Sequence, residues 1–359
     1  MKKIMAVFGT RPEAIKMAPL VLALQKSKAF EVIVCVSGQH KEMLDSVLDV
    51  FGIVPDYNLE IMRDKQDLFD ITVNILDRIK AVLIAEKPDM VLVHGDTSTA
   101  FVSALACFYL QIPVGHVEAG LRTGNLKSPF PEEFNRQGIG LMADIHFAPT
   151  EQAKLNLIRE GKTNPIHVTG NTGIDALRYT IHDNAEKPKE RLILLTAHRR
   201  ENIGVPMREI FGAVKQIVDE FEDVRVVYPM HKNPLVRDIA REIFGEDDRV
   251  SLIEPLDVVA FHNLMDASYV ILSDSGGIQE EAPSLHKPVL VLRDTTERPE
   301  GVEAGTLWMV GTEKQKIYEA VRRILQDEVL YDTMSQSKNP YGDGYASEKI
   351  VEILETYFK

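Results

Sequence analysis

Short apolar runs alternate with amphipathic helical stretches from end to end of this 359-residue chain, and that alternation constrains its fold most. The runs at 4–8, 32–36, 90–94, 114–117 and 145–148 have the length and bounding turn residues of buried strands. Between them, residues 12–25, 41–51, 68–85, 99–110, 132–141 and 150–159 carry apolar side chains at helical spacing. A second series of runs lies at 192–196, 224–227, 250–253, 269–273 and 289–292. Its helical stretches are 205–221, 234–244, 257–265, 276–284 and 314–325. Such alternation implies parallel sheets with helices on both faces, here twice over. The length also exceeds what one core readily serves. The polar stretch 182–190 is the best linker. The sequence therefore predicts an α/β chain of two doubly wound, Rossmann-like domains, 1–185 and 186–345. Residues 346–359 follow as an amphipathic helix that needs a surface to cover.

Charge and composition remove several classes of partner. The net charge of −13 argues against nucleic acid or an anionic membrane surface. No apolar run approaches the roughly 18–20 residues of a membrane span. The apolar N-terminal run breaks into Gly9-Thr10-Arg11-Pro12-Glu13, which reads as a first strand and its turn rather than a signal peptide. Cys35 and Cys107 lie within apolar runs without ligand-like spacing, as reduced core residues of a cytoplasmic protein do. Dinucleotide and P-loop glycine patterns, zinc spacing and a Gly-x-Ser-x-Gly elbow are all absent from the sequence.

In doubly wound sheets ligands lie beyond the carboxyl ends of the strands, and the chemically loaded turns fall there. Asp274-Ser275-Gly276-Gly277 follows an apolar run and opens a helix, leaving backbone N–H groups and a positive dipole end for a phosphate. Glu280 or Glu281, further into that helix, can accept from a ribose diol, which points to a nucleoside diphosphate. A capped helix start after a buried strand explains such a turn equally well. An overall negative chain must gather cations locally for an anion, and Arg11, Lys16, Arg122, Arg136, Arg199, Arg200 and Arg298 are the candidates. Asp96, Glu118, Glu132 and Glu133 sit near strand ends, where neighbouring carboxylates raise one another's pKa toward proton transfer. Arg136, one turn beyond Glu132 and Glu133, can pair with one and fix its direction. His198 is flanked by Arg199 and Arg200, which favours a neutral ring. A cap or surface ion pair is the ordinary role of any one of these carboxylates, and their repeated placement at strand ends speaks for chemistry.

Several strings together resemble one family: 9–16 (Gly-Thr-Arg-Pro-Glu-Ala-Ile-Lys), His94-Gly95-Asp96-Thr97, 116–123, and Pro131-Glu132-Glu133-x-Asn135-Arg136. His198-Arg199-Arg200-Glu201-Asn202, residues 274–281 and residues 293–300 extend the likeness over nearly the whole chain. They are similar to the non-hydrolysing UDP-N-acetylglucosamine 2-epimerases. The resemblance implies a GT-B architecture of two domains facing across a cleft that closes on a UDP-sugar, with the C-terminal helix returning to the N-terminal domain. It also implies a homodimer serving cell-surface polysaccharide synthesis, without metal or other cofactor. UDP-N-acetylglucosamine and UDP-N-acetylmannosamine would interconvert through loss of UDP, a 2-acetamidoglucal and re-addition of UDP.

By the same resemblance Arg11, Lys16, Asp96, Glu118, His198, Leu256, Phe261, Ser275, Gly276, Gly277, Glu281 and Arg298 line the UDP-sugar site. Phe261 packs near the uracil, Leu256 leaves part of that base to backbone groups, and Glu281 takes the ribose hydroxyls. Asp96, Glu118 and Glu132 are the acid–base candidates, Arg136 orients one of them, and His198 stabilises the departing diphosphate. Many bacterial members bind a second UDP-N-acetylglucosamine as activator, at positions matching Gln39, Arg199, Glu201 and His231. Glu42 and Lys65 stand where Gln and Arg are common in that shell, which weakens the expected grip on a diphosphate.

Overall fold

The computed structural model describes residues 1–38, 41–63, 66–182 and 188–359, without the side chains of 41–43 and 200. Two compact units emerge, one of Met1–Tyr179 with Tyr341–Lys359 and one of Thr180–Pro340. The boundary expected at residue 185 lies outside the described residues.

Each unit is built on a parallel sheet. In the first, the strands are β1 (Lys2–Phe8), β2 (Phe30–Val36), β3 (Tyr57–Asn58), β4 (Met90–His94), β5 (Val114–Val117), β6 (Ile145–Ala148) and β7 (Ile166–Val168). Their order is β3-β2-β1-β4-β5-β6-β7. The second sheet holds β8 (Arg191–Thr196), β9 (Val224–Pro229), β10 (Val250–Ile253), β11 (Val270–Ser273), β12 (Val289–Val291) and β13 (Leu307–Met309). Their order is β10-β9-β8-β11-β12-β13. Both orders reverse direction once, between β1 and β4 and between β8 and β11. Doubly wound sheets bind ligands at that switch.

Helices cover both faces, so the central strands read as unbroken apolar runs. Ile4, Met5, Ala6, Val7 and Phe8 of β1 are all fully buried. One core of the first unit joins Met5, Val7, Val91 and Val93 to Ile71, Ile75 and Ile79 of the helix Leu68–Glu86. In the second, Ile193, Leu195, Val226 and Leu272 pack on Met207, Ile210, Phe211 and Val214 of the helix Val205–Glu220. Full burial of each such side chain contributes about 1.5–3 kcal/mol. Cys35 and Cys107 are free and buried in these layers, and burial pushes the Cys35 thiol up to about 12. The closing helix Ala346–Tyr357 packs on the helix Arg11–Lys26 of the first unit, as expected. No helix among the described residues is long and apolar enough to cross a membrane.

Candidate active site

The turn after β1 is tied to the turn after β4. A Cβ on Gly9 would lie 1.9 Å from Ser37 Oγ and 2.5 Å from Thr99 Oγ1, so only glycine fits there. Thr10 caps the helix Arg11–Lys26, and Pro12 occupies its first turn, where no N–H is needed. The buried Glu13 carboxylate accepts from Gly9 N at 3.0 Å, Thr10 N at 2.8 Å and the Thr97 hydroxyl at 2.6 Å. Burial pushes that carboxyl up, against the hydroxyl and backbone bonds that favour its charge. Arg11 and Lys16 are thereby set on a helix whose start is locked to the Asp96-Thr97 turn.

Lys16 reaches across to Glu118, with which it forms a half-buried ion pair. Glu118 follows β5 with φ +60°, a left-handed conformation uncommon for a residue with a Cβ. Such strain, held in place by surrounding contacts, is frequent at functional sites. Asn171 Nδ2 donates to its Oε2 at 2.8 Å, and His94 Nε2 lies 3.8 Å from the same oxygen. Burial lowers the His94 pKa to about 4, Lys16 adding to the shift and Glu118 opposing it. His94 is thus a neutral neighbour of the carboxylate at ordinary pH.

Asp96, beyond β4, pairs with Arg136 Nη2. Arg136 Nη1 also contacts Glu133, at 3.3 Å. Glu133 is fully buried and accepts from Thr123 N at 3.1 Å, Gly124 N at 3.2 Å and Gln137 Nε2 at 2.9 Å. It therefore acts as an anchor that aims Arg136 at Asp96. Burial raises the Asp96 pKa, Arg136 pulls it back, and the charges of Glu118 and Glu132 push it up again. Glu132, the first residue of the helix Glu132–Met142, is half-buried beside this group. Four carboxylates, Asp96, Glu118, Glu132 and the anchoring Glu133, thus meet Lys16 and Arg136 beyond the strands of the first sheet.

The corresponding turns of the second unit meet around Asp274. Its Oδ2 accepts from His198 N and Arg199 N, both at 2.9 Å, and from Asn202 Nδ2 at 3.0 Å. His198 stacks on His231, the ring centroids 5.8 Å apart. Arg199 donates through Nε to Asp274 O at 2.9 Å and lies 3.6 Å from Glu201 and 3.8 Å from Glu297. Ser275 starts the helix Gly276–Glu281, but its hydroxyl does not cap that helix. A Cβ on Gly276 would come within 2.6 Å of Arg298 Nη1, so the missing side chain lets the guanidinium lie over the turn. Arg298 Nε donates to the buried Glu280 at 2.8 Å. Burial works upward on Glu297, but Arg293 and Arg298 outweigh it and hold that carboxyl down at about 2. Glu281 lies 3.6 Å from His262 Nε2, and Thr180 Oγ1 meets His262 Nδ1 at 2.7 Å. Phe261 is half-buried on the same helix as His262, and Leu256 lies in the turn before it.

The first unit thus gathers Arg11, Lys16, Asp96, Glu118, Glu132 and Arg136, and the second gathers His198, Ser275, Gly276, Gly277, Glu281 and Arg298. Arg136 orients Asp96, and its other carboxylate partner is Glu133. Arg199 turns its guanidinium to Asp274 O and Glu297, and among the described side chains the charge facing the His198 ring is the Asp274 carboxylate. Of the positions expected to bind an activator, Gln39 and Lys65 lie outside the described residues, as does the Glu42 side chain. The sequence offered Glu280 only as an alternative ribose acceptor and Asp274 only as part of its turn, and gave no role to Glu13 or Asn171. Each of the four holds a candidate site residue or its loop through bonds between separate segments. For Glu13 alone a local sign existed, the Thr10-x-x-Glu13 capping box.

The fold is GT-B, two Rossmann-like units in one chain. Its likeness extends to a sucrose-phosphate synthase from Thermosynechococcus elongatus (TM-score 0.69, 13% identity, 99% of each chain), which bears on the fold alone. A structure of UDP-GlcNAc 2-epimerase from Neisseria meningitidis bound to UDP-GlcNAc matches with a TM-score of 0.90. It is 48% identical over 99% of this chain and 100% of that one. The UDP-N-acetylglucosamine 2-epimerase of Bacillus subtilis is 60% identical over 98% of this chain and 94% of its own. A family model described as UDP-N-acetylglucosamine 2-epimerase matches residues 22–355. The chain belongs to the UDP-N-acetylglucosamine 2-epimerase family and is an isomerase.

Proposed function

We propose that this protein interconverts UDP-N-acetylglucosamine and UDP-N-acetylmannosamine by elimination and re-addition of UDP. The observation that carries the reading is the carboxylate group at the first switch point. Asp96 and Glu118 are each fixed by a cation, with Glu132 close enough to act on Asp96. Inverting carbon 2 requires a proton to leave one face and another to arrive on the opposite face, hence more than one proton carrier. Carbon 2 does not adjoin a carbonyl, so enolisation cannot labilise its hydrogen. Instead a carboxylate takes that proton, the C–H electrons form the bond between carbons 1 and 2, and the carbon 1–oxygen bond breaks. UDP departs with the electron pair and leaves 2-acetamidoglucal. Protonation at carbon 2 from the other face and attack of UDP oxygen on carbon 1 complete the inversion. Asp96, Glu118 and Glu132 supply the proton carriers, and Arg136 aims Asp96.

The departing diphosphate gains charge, and donors preset toward it favour departure. Arg11, His198, Arg298, the Ser275 hydroxyl and the N–H groups of Gly276 and Gly277 are suited to that task. Each turnover leaves one carboxyl group with an extra proton and another short of one. Exchange with solvent restores them, so the solvent isotope enters the sugar. Proton NMR of UDP-N-acetylglucosamine incubated with the enzyme in deuterium oxide tests this. The expected result is UDP-N-acetylmannosamine with deuterium at carbon 2. Accumulating free N-acetylmannosamine with equal UDP would instead show a hydrolase, and no exchange would remove the mechanism altogether.

A further inference from the structure

The proposed reaction gives no task to Asp274, although its carboxylate is fully buried beside the diphosphate turn. One oxygen, Oδ2, is engaged by the N–H groups of His198 and Arg199 and by Asn202. The other, Oδ1, is buried, accepts no hydrogen bond from the described residues and lies 3.4 Å from His198 Nδ1. A buried acceptor left unmatched costs about 1–3 kcal/mol, so this oxygen favours a proton on the nitrogen it faces. The His198 side chain is 44% exposed, so its ring is open to a ligand.

Among the described side chains around the ring, Asp274 is the charge partner. His231 stacks on it at an interplanar angle of 15°, with its own Nδ1 accepting from Asn233 N at 3.1 Å. The Arg199 guanidinium faces Asp274 O and Glu297, and Arg237 donates to His231 O at 3.2 Å.

We propose that Asp274 is a positioning residue for His198. Its Oδ1 holds the proton on Nδ1, and Nε2, on the other side of the ring, takes up a second proton as a nucleoside diphosphate binds, a ligand class that rests on the epimerase reading. The proton comes from solvent, the ring changes from neutral to +1, and no bond of the ligand changes. A ring protonated on Nδ1 alone would turn a lone pair toward the phosphate. A ring protonated on Nε2 alone would turn one toward Oδ1. The imidazolium satisfies both anions with charge-assisted bonds. As the carbon 1–oxygen bond breaks, that cation already stands at the developing charge.

Calorimetric titration of the full chain with UDP, in buffers of differing ionisation heat, reads the proton directly. At about pH 8 the phosphate's second ionisation, near 6, is complete, so any uptake belongs to the protein. The expected result is uptake approaching one proton in the wild type. It should vanish in Asp274→Asn and His198→Gln, with UDP affinity falling about tenfold, or 1.4 kcal/mol. Asparagine can keep the loop bonds through its oxygen while its NH2 faces Nδ1 and drives the ring proton to Nε2. Nitrogen-15 shifts of His198 in the unliganded wild type test the same point without any variant, and a neutral ring protonated on Nε2 overturns the proposal. So does wild-type binding without uptake, or uptake that survives Asp274→Asn and disappears in His231→Gln. Turnover in deuterium oxide separates the two readings. An active epimerase without proton uptake refutes the role of Asp274 alone, whereas uptake without turnover refutes the epimerase alone.

Discussion

Asp96 sits between opposing influences, and their balance gives a direction for its titration. Burial raises its pKa, with Glu118 and Glu132 adding to the rise, while the Arg136 charge and hydrogen bond lower it. Arg136→Gln removes that lowering influence and leaves the buried Glu133 its other donors. With Asp96 working as an ionised base, the acid limb of the pH–rate profile should move to higher pH in Arg136→Gln. The rate at its optimum should fall about 10–100-fold, since a base held less firmly spends less time aligned. Initial rates across the pH range, for wild type and variant, check this. A limb that stays in place would remove Asp96 from the titrating step, and one that moves down would contradict the charge balance.

Adjacent strands of the first sheet carry the residues that make this unit sensitive to acid. His94 of β4, His116 of β5 and His146 of β6 are all buried. Burial is the leading cause of each depression, to about 4 for His94, about 3 for His116 and about 4 for His146. A histidine depressed in the folded state contributes stability that is present above its unfolded value, near 6.5. That contribution is lost as pH falls toward the folded value, because the unfolded chain takes up the proton first. For His146 the loss between pH 7 and 5 is about 2 kcal/mol. His146 Nδ1 has no hydrogen bond among the described residues, so His146→Leu should remove that loss with little disturbance, and urea titrations at the two pH values would measure it. An equal acid penalty in wild type and variant would show that His146 titrates alike in both states. Central strands such as β4, β5 and β6 were legible because burial on both faces demands continuous apolar residues. The edge strands β3 and β7, two and three residues long, carry no comparable pattern. The helix Thr172–Thr180 also escaped reading, opening on Thr-Gly without a regular apolar stripe. At the site, Asp96, Glu118 and the Ser-Gly-Gly turn could be read because each ends a strand. Asp274 and Asn171 could not, since their roles arise from partners 76 and 53 positions away.

The chain leaves its first unit after Tyr179 and completes it only on returning at Tyr341. This interruption makes the last nineteen residues part of the carboxylate site's foundation. Ile350 and Leu354 of the returning helix are fully buried, as is Tyr341. Asp175, itself buried, accepts from Ala346 N at 3.1 Å and Ser347 N at 2.6 Å, satisfying two of the helix's N-terminal donors. Tyr341 O accepts from Asn171 N at 2.7 Å, and Asn171 in turn donates to Glu118. Removing 341–359 would expose these apolar side chains and their facing surface, a loss of about 5–8 kcal/mol. That rivals the whole stability of a typical domain, about 5–15 kcal/mol. The truncated chain should therefore lose protection from hydrogen exchange across β1, β2 and β4. Trp308, the chain's single tryptophan, lies in the second unit and should keep its native emission. Adding a peptide of residues 341–359 should restore protection first and turnover with it, because the Asn171 contact to Glu118 re-forms with the helix. Native protection in the truncated chain would show that residues 1–179 close their own core. Protection restored without turnover would break the proposed link from Tyr341 through Asn171 to Glu118.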